Sequence, residues 1–267
     1  AATITVATPN GNGVAFASRA GAGKRYAGTW LFDDVDVVRG GFLEVPDRLV
    51  VEETLALSGA AVLTHPETTT GYEGVLDVMA DVLSVDATSR IDVTGRGYLG
   101  GNRAGLGETA HTLGFAPGAQ SGTGGSHGGL GGDYSGNGAS VPNPVYGSFT
   151  DPQDLGAGGG AWGGAGGDGG GRVRIVAQTL IVDGRISADG GPAAGSASGT
   201  GAGGSVNPRV GTLSGAGLVT ASGGTVNNGN HTGGGGGRIA VRYTGALTLP
   251  RANVRAVGGD GFYGDGG

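Results

Sequence analysis

From Gly156 to Gly171 the sequence reads GAGGGAWGGAGGDGGG, and only Trp162 and Asp168 carry a side chain larger than a methyl group. Such a run has almost nothing to bury, and its glycines lose more backbone freedom on folding than any other residue. It can be a floppy surface tract, or it can be ordered by its backbone alone. The next twenty residues, RVRIVAQTLIVDGRISADGG, do the opposite and alternate apolar with polar. In a strand, Val173, Ile175, Leu180, Val182, Ile186 and Ala188 share one face and Arg172, Arg174, Ile181, Arg185, Ser187 and Asp189 the other. Val176–Thr179 and Asp183–Gly184 interrupt the phase as corners would.

Segments like this one recur. Aligned on a single leucine they place Leu55, Leu83, Leu180, Leu213 and Leu247 in register, at spacings of 28, 97, 33 and 34 residues. The long interval is close to three of the short ones. Repeats that cannot bury their apolar faces alone must stack. The expectation is an all-β parallel β-solenoid, right-handed, with three short strands and their corners to each turn. Residues 68–85 also fit a helix face through Glu73, Leu76, Val78, Met79 and Val82. Their place in the repeat favours a strand.

Glycine makes up 65 of 267 residues, and the densest tracts, 122–138, 156–171 and 233–237, fall between the leucine segments. Gly163–Gly171 divides into triplets. That phase fits extended helices of three residues per turn, of the polyproline-II type, with backbone groups pointing outward to neighbouring strands. Only glycine permits such close approach. The glycine-rich segments are therefore expected to pack, polyglycine-II-like, alongside a hydrophobic β-core. Residues 1–95 read as opening coils or cap, and 96–267 as a glycine-rich region continuous with the same solenoid.

In their order and spacing, the blocks GGSHGGLGG (124–132), YGSFTDPQDLGAGGG (146–160), VDGRISADGG (182–191), GTLSGAGLVTASGG (211–224) and GGGGGRIAVRYTG (233–245) resemble a group of glycine-rich bacterial surface and secreted proteins. The resemblance covers about 95–267 and implies an extracellular, multidomain context but no enzymatic activity. In that group a tail like AVGGDGFYGDGG (256–267) runs on into another apolar strand, so the chain is expected to belong to something larger. A weaker, compositional likeness is to glycine-rich extracellular domains of animal receptor kinases and to phage tail adhesins.

Charge and composition narrow the function. The net charge is −6, and fifteen Arg and one Lys are scattered without a basic stripe, which argues against a nucleic-acid partner. There is no cysteine, which excludes disulfides and thiol chemistry, and no apolar run of about 18 residues that would form a transmembrane segment. GRGYLG (95–100) and GDGFYG (259–264) fit a dinucleotide fingerprint, but neither precedes a helix. AGAGKRY (20–26) has Arg25 where a P-loop needs Ser or Thr. GGSHG (124–128) matches a nucleophile-elbow pattern, yet Ser126 and His127 are adjacent and point apart in an extended chain. The four histidines have no metal-ligand spacing.

Two sets of residues stay as candidates. Asp34 and Asp36 share a strand face and, with Asp33, form a possible calcium site. Tyr98, Tyr134, Tyr146 and Trp162 lie in or beside glycine tracts, where rings can stack on a glycan, contact protein, or cap the glycine layer. The expected function is a structural protein of a surface fibre, sheath or stalk, with other copies of itself or a surface polymer as the expected partner. The alternatives are an adhesin module binding glycan or protein, and a polysaccharide-active β-helix enzyme, which needs two carboxylates across a cleft that the sequence does not pair.

Overall fold

The computed structural model describes residues 3–7, 14–15, 24–26, 28–46, 48–134, 140–195, 197–226 and 232–267. Its first strands are β1 (Thr3–Ala7), β2 (Val14–Ala15), β3 (Lys24–Tyr26), β4 (Thr29–Phe32), β5 (Asp34–Val38), β6 (Phe42–Glu44), β7 (Arg48–Leu57) and β8 (Val62–Thr64). There follow β9 (Leu76–Val85), β10 (Arg90–Asp92), β11 (Arg172–Val182), β12 (Arg185–Ser187), β13 (Ser205–Ser214), β14 (Leu218–Thr220), β15 (Arg238–Ile239), β16 (Arg242–Tyr243) and β17 (Val254–Arg255). The protein is all-β. Its helical turns among the described residues are two 3-10 turns, Leu113–Phe115 and Arg251–Asn253. No described helix is long and apolar enough to cross a membrane.

The strands form two sheets, and neither closes on itself. One runs β1-β5-β7-β9-β11-β13-β15, the other β17-β14-β12-β10-β8-β6-β2. From β5 to β15 the chain visits the sheets in turn, and each return adds a parallel strand beside the last; β16 then follows β15 on β13 before β17 joins the second sheet. The exception is β3, which pairs antiparallel with β4. The stretch 76–85 is thus strand, not helix.

The leucine alignment is the physical register. Leu55 pairs with Leu83, Leu83 with Leu180, Leu180 with Leu213, and Leu213 with Leu247. The first four are fully buried, in a core with Val78, Ile91, Val173, Ile175, Ile186 and Val206. The 97-residue interval does not hold two further turns, because β9 and β11 are direct neighbours. The described residues between β10 and β11 form no strand of either sheet. The expected corner at 176–179 is a bend inside one strand: in β11 the buried alternation slips at Gln178 while the ladder continues. Asp183–Gly184 does separate β11 from β12.

The glycine tracts form a third layer, joined by backbone hydrogen bonds. Residues 199–204 show its rule. Gly199 and Ala202 donate to the carbonyls of Gly160 and Ala157, Thr200 and Gly203 to Thr232 and Gly235, and Gly201 and Gly204 to Gly191 and Ala188, all at 2.7–3.0 Å. Successive N–H groups turn to three neighbours and repeat every third residue, which satisfies groups that would be costly to bury unpaired. A Cβ on Gly201 would fall well inside contact with the Asp168 carbonyl oxygen. Thr200 is tolerated because its hydroxyl takes over backbone bonding: it donates to Gly224 O and accepts from Gly234 N.

Glycine layer and sheets are joined at equivalent places. Gly171, Gly204 and Gly237, each just before β11, β13 and β15, donate to Val93, Ala188 and Ala221, each just after β10, β12 and β14. Residues 146–154 lie across the outer face of the first sheet. There Arg238 donates to Tyr146 O, Arg172 to Gln153 O, Ser205 to Asp154 O, and Asn207 and Arg209 to the Asp151 carboxylate.

Candidate functional site: an aromatic tip on the glycine layer

The extended glycine segments must reverse where they leave and re-enter the layer, and large side chains are carried at those reversals. Trp162 follows the segment 156–161 and precedes 166–171. Phe262 and Tyr263 sit in the turn of 260–265, which Asp265 shapes by accepting from the Gly261 N–H at 2.9 Å. Tyr134 ends the segment that begins at Gly124.

These rings converge. Tyr134 lies 4.6 Å from Tyr263, edge to face, and Tyr263 lies 5.0 Å from Phe262 in the same manner. Tyr134 and Trp162 are near-parallel, 26° apart, with centroids 6.3 Å from each other. The cluster is open to solvent: Phe262 is 68% exposed, Trp162 50% and Tyr263 36%. Clustered exposed rings of this kind mark contact surfaces. They sit on a layer whose backbone is tied on several sides, so presenting them costs little side-chain or loop ordering on binding.

Tyr98 and Tyr146, the other aromatic candidates, are structural. Tyr98 is 1% exposed; its hydroxyl donates to Glu73 and accepts from the Gly114 N–H. Burial and the Glu73 carboxylate push its ionisation well above the usual phenol range. Tyr146 donates to the Leu155 carbonyl, and its ring leans over His127 at 4.8 Å. Tyr98 is thus buried, and Tyr146 is half-buried. Composition alone does not separate them from Tyr134 and Trp162, because all four have glycine neighbours. Phe262 and Tyr263 stand in the sequence as two consecutive rings inside a glycine tract, within the GDGFYG that fits a dinucleotide fingerprint.

Asp34 and Asp36 lie on one face of β5, facing outward, with Asp33 at the bend before it. Asp34 accepts the Thr54 N–H at 3.2 Å. Among the described residues no three His, Cys, Asp or Glu side chains are grouped to hold a metal ion. Ser126 and His127 do point apart: the Ser126 hydroxyl accepts from Gly131 N, and His127 Nδ1–H donates to Gly203 O. His65 and His127 are both fully buried, each with Nε2 lacking a partner. Burial holds both imidazoles down to about 4, with Arg96 beside His65 and Arg238 beside His127 adding to it. His231 lies outside the described residues, as does AGAGKRY up to Lys24.

A shallow groove crosses the outer face of the first sheet at its bend. Val51, Ala80, Ala177 and Val210 line it, with Glu52 and Asp81 as its carboxylates and Tyr243 as its one ring. It has none of the aromatic clustering of the tip. No protein family model, curated protein or solved structure matches this chain.

Proposed function

We propose that the chain is an extracellular binding module of adhesin type: a rigid β-solenoid, flanked by polyglycine-II-like helices, that holds out an aromatic contact surface. The observation that carries this reading is the convergence of Tyr134, Trp162, Phe262 and Tyr263 from three separate glycine segments onto one exposed cluster. Alternation of the chain between two parallel sheets supports the solenoid, and the three-neighbour bonding of 199–204 supports the polyglycine-II geometry. The resemblance of the glycine blocks to bacterial surface proteins supports the location. The partner class is a glycan or a protein displayed on another surface.

The test is retention of the purified chain on arrays of immobilised oligosaccharides and peptides. The parent is expected to bind at least one class, and Trp162→Ala with Tyr263→Ala to lose it at unchanged melting temperature. Binding unaffected by both substitutions, or no binding at all, would contradict the reading.

A structural role in a fibre, sheath or stalk has one observation in its favour. Ile239, Leu247 and Val254 are only partly buried, whereas Val206, Leu213 and Val219, with which they pair, are fully or almost fully buried. Stacking of another copy on that edge would cover them. Electron microscopy of the purified chain showing regular filaments would favour this role, and dispersed particles would exclude it for these 267 residues.

A further inference from the structure

The charges around the aromatic tip are one-sided. The sequence stretches 122–140, 156–171, 188–204, 221–237 and 256–267, whose described residues include the glycine segments of the layer, contain no Lys and no Arg. They contain Asp133, Asp168, Asp189, Asp260 and Asp265. Two of these are already engaged: Asp168 faces Arg103 at 3.2 Å and Asp189 faces Arg185 at 2.7 Å. Arg103 is further held by the Gly166 carbonyl. Asp133, Asp260 and Asp265 are exposed, and they adjoin the rings in sequence: Asp133 precedes Tyr134, and Asp260 and Asp265 bracket Phe262 and Tyr263. Asp133 also lies against Gly264, which brings the two acidic segments together.

Rings flanked by carboxylates, on segments that carry no Lys or Arg of their own, favour one kind of guest, although Asp260 shares a groove with Arg185 and Arg255. The face of an aromatic ring is electronegative, and Trp and Tyr attract a cation held over it. Carboxylates nearby add long-range attraction and repel anions. A neutral sugar would gain from the rings but nothing from the charge, and an anionic sugar would be repelled. The near-parallel Tyr134 and Trp162 rings, 6.3 Å apart, form an offset-stacked pair, and Tyr263 stands edge-on beside Tyr134, so a cation would sit over this aromatic surface and not between two rings. We infer that the group recognised by this tip is an alkylated ammonium, of the kind carried by choline or by methylated lysine, held against Trp162, Tyr134 and Tyr263 with Asp133 and Asp260 supplying the counter-charge.

This inference rests on the binding-module reading but fails separately from it. The chain has two tryptophans, of which Trp30 is 5% exposed and Trp162 50%, so intrinsic fluorescence quenched by a small cation reports on Trp162. The experiment titrates the full chain with choline and, in parallel, with 3,3-dimethylbutanol, its uncharged carbon isostere. A phosphocholine arm and a trimethyllysine-peptide arm distinguish a lipid or polymer head group from a modified protein. Saturable quenching by choline is expected, with at least tenfold weaker response to the isostere. Tyr263→Ala is expected to weaken choline binding about tenfold, and Asp133→Asn with Asp260→Asn severalfold, with stronger loss at low salt than at high.

Equal binding of choline and its isostere would overturn the inference, as would binding that Tyr263→Ala leaves unchanged. If no cation binds while the glycan and peptide arrays show Trp162-dependent retention, the ammonium inference falls and the binding module stands. If neither binds, both fall.

Discussion

Gly201 is where the glycine requirement is sharpest. Its N–H donates to Gly191 while its α-carbon faces the Asp168 carbonyl, with no room for a methyl group between them. The obstacle is backbone on both sides and cannot swing away. Gly201→Ala is therefore expected to cost about 1–3 kcal/mol or more, since overpacking a fixed interior is destabilising. Gly107 has nothing near its missing side chain, and Gly107→Ala is expected to change the melting temperature little. Thermal unfolding of the pair checks this; equal losses would mean that the layer yields. The buried histidines give a second residue-scale expectation. Folded, His65 and His127 stay neutral down to about 4; unfolded, each takes up a proton near 6.5. Stability from this source is complete above pH 6.5, declines as pH falls, and levels off below 4. At pH 5 the loss is on the order of 2 kcal/mol for each histidine. Denaturant unfolding at pH 7 and pH 5 measures it, and replacing both with Gln should flatten the difference. No change between the two pH values in the parent would contradict the burial of these rings.

At the scale of the element, the long strands of the first sheet carry the core. Leu180 sits between Leu83 and Leu213 with no solvent contact. Leu180→Ala should cost about 2–5 kcal/mol, and Leu180→Asp more, because the carboxylate is buried without a partner. Comparable denaturation midpoints for parent and Leu180→Asp would refute the register. That register was legible in the sequence because parallel strands in register place like residues over like, so Leu55, Leu83 and Leu180 mark it by identity. The 97-residue interval was misleading for a related reason. A length near a multiple of the repeat suggests hidden turns, but β9 and β11 are adjacent, and the described residues between β10 and β11 include glycine segments of the third layer and the 146–154 crossing. The corner at Gln178 was legible as a slip in alternation; that the ladder passes through it was not, since backbone pairing leaves no mark on side-chain pattern. The 146–154 crossing was also hidden. It depends on Asp151 meeting Asn207 and Arg209, residues more than fifty positions away. Asp151→Asn is expected to loosen this crossing and leave the core strands intact, read as faster amide exchange confined to 146–154.

Across the whole molecule, two kinds of cohesion lie side by side. The sheets enclose a hydrophobic core; the third layer is held almost entirely by backbone hydrogen bonds, and Gly171, Gly204 and Gly237 tie each to the other. The triplet phase of Gly163–Gly171 raised the expectation of an ordered layer, and the hydrogen bonding of 199–204 also repeats every third residue. The aromatic tip was legible only in half. Tyr134 and Trp162 stood out among glycines, but so did Tyr98 and Tyr146, and what divides them is which residues the fold brings near. Tyr98 meets Glu73 and Phe115 and is covered; Tyr134 meets Trp162 and Tyr263 and is not. The rigidity of the layer is what allows a glycine-rich chain to present those rings in a fixed arrangement. Backbone amide exchange by NMR tests that most directly. The N–H groups of residues 199–204 are expected to exchange as slowly as those of β11, within the same cooperative unit. Exchange at the rate of open loops, with β11 still protected, would show that the glycine segments are not an ordered layer and would remove the support on which the aromatic tip rests.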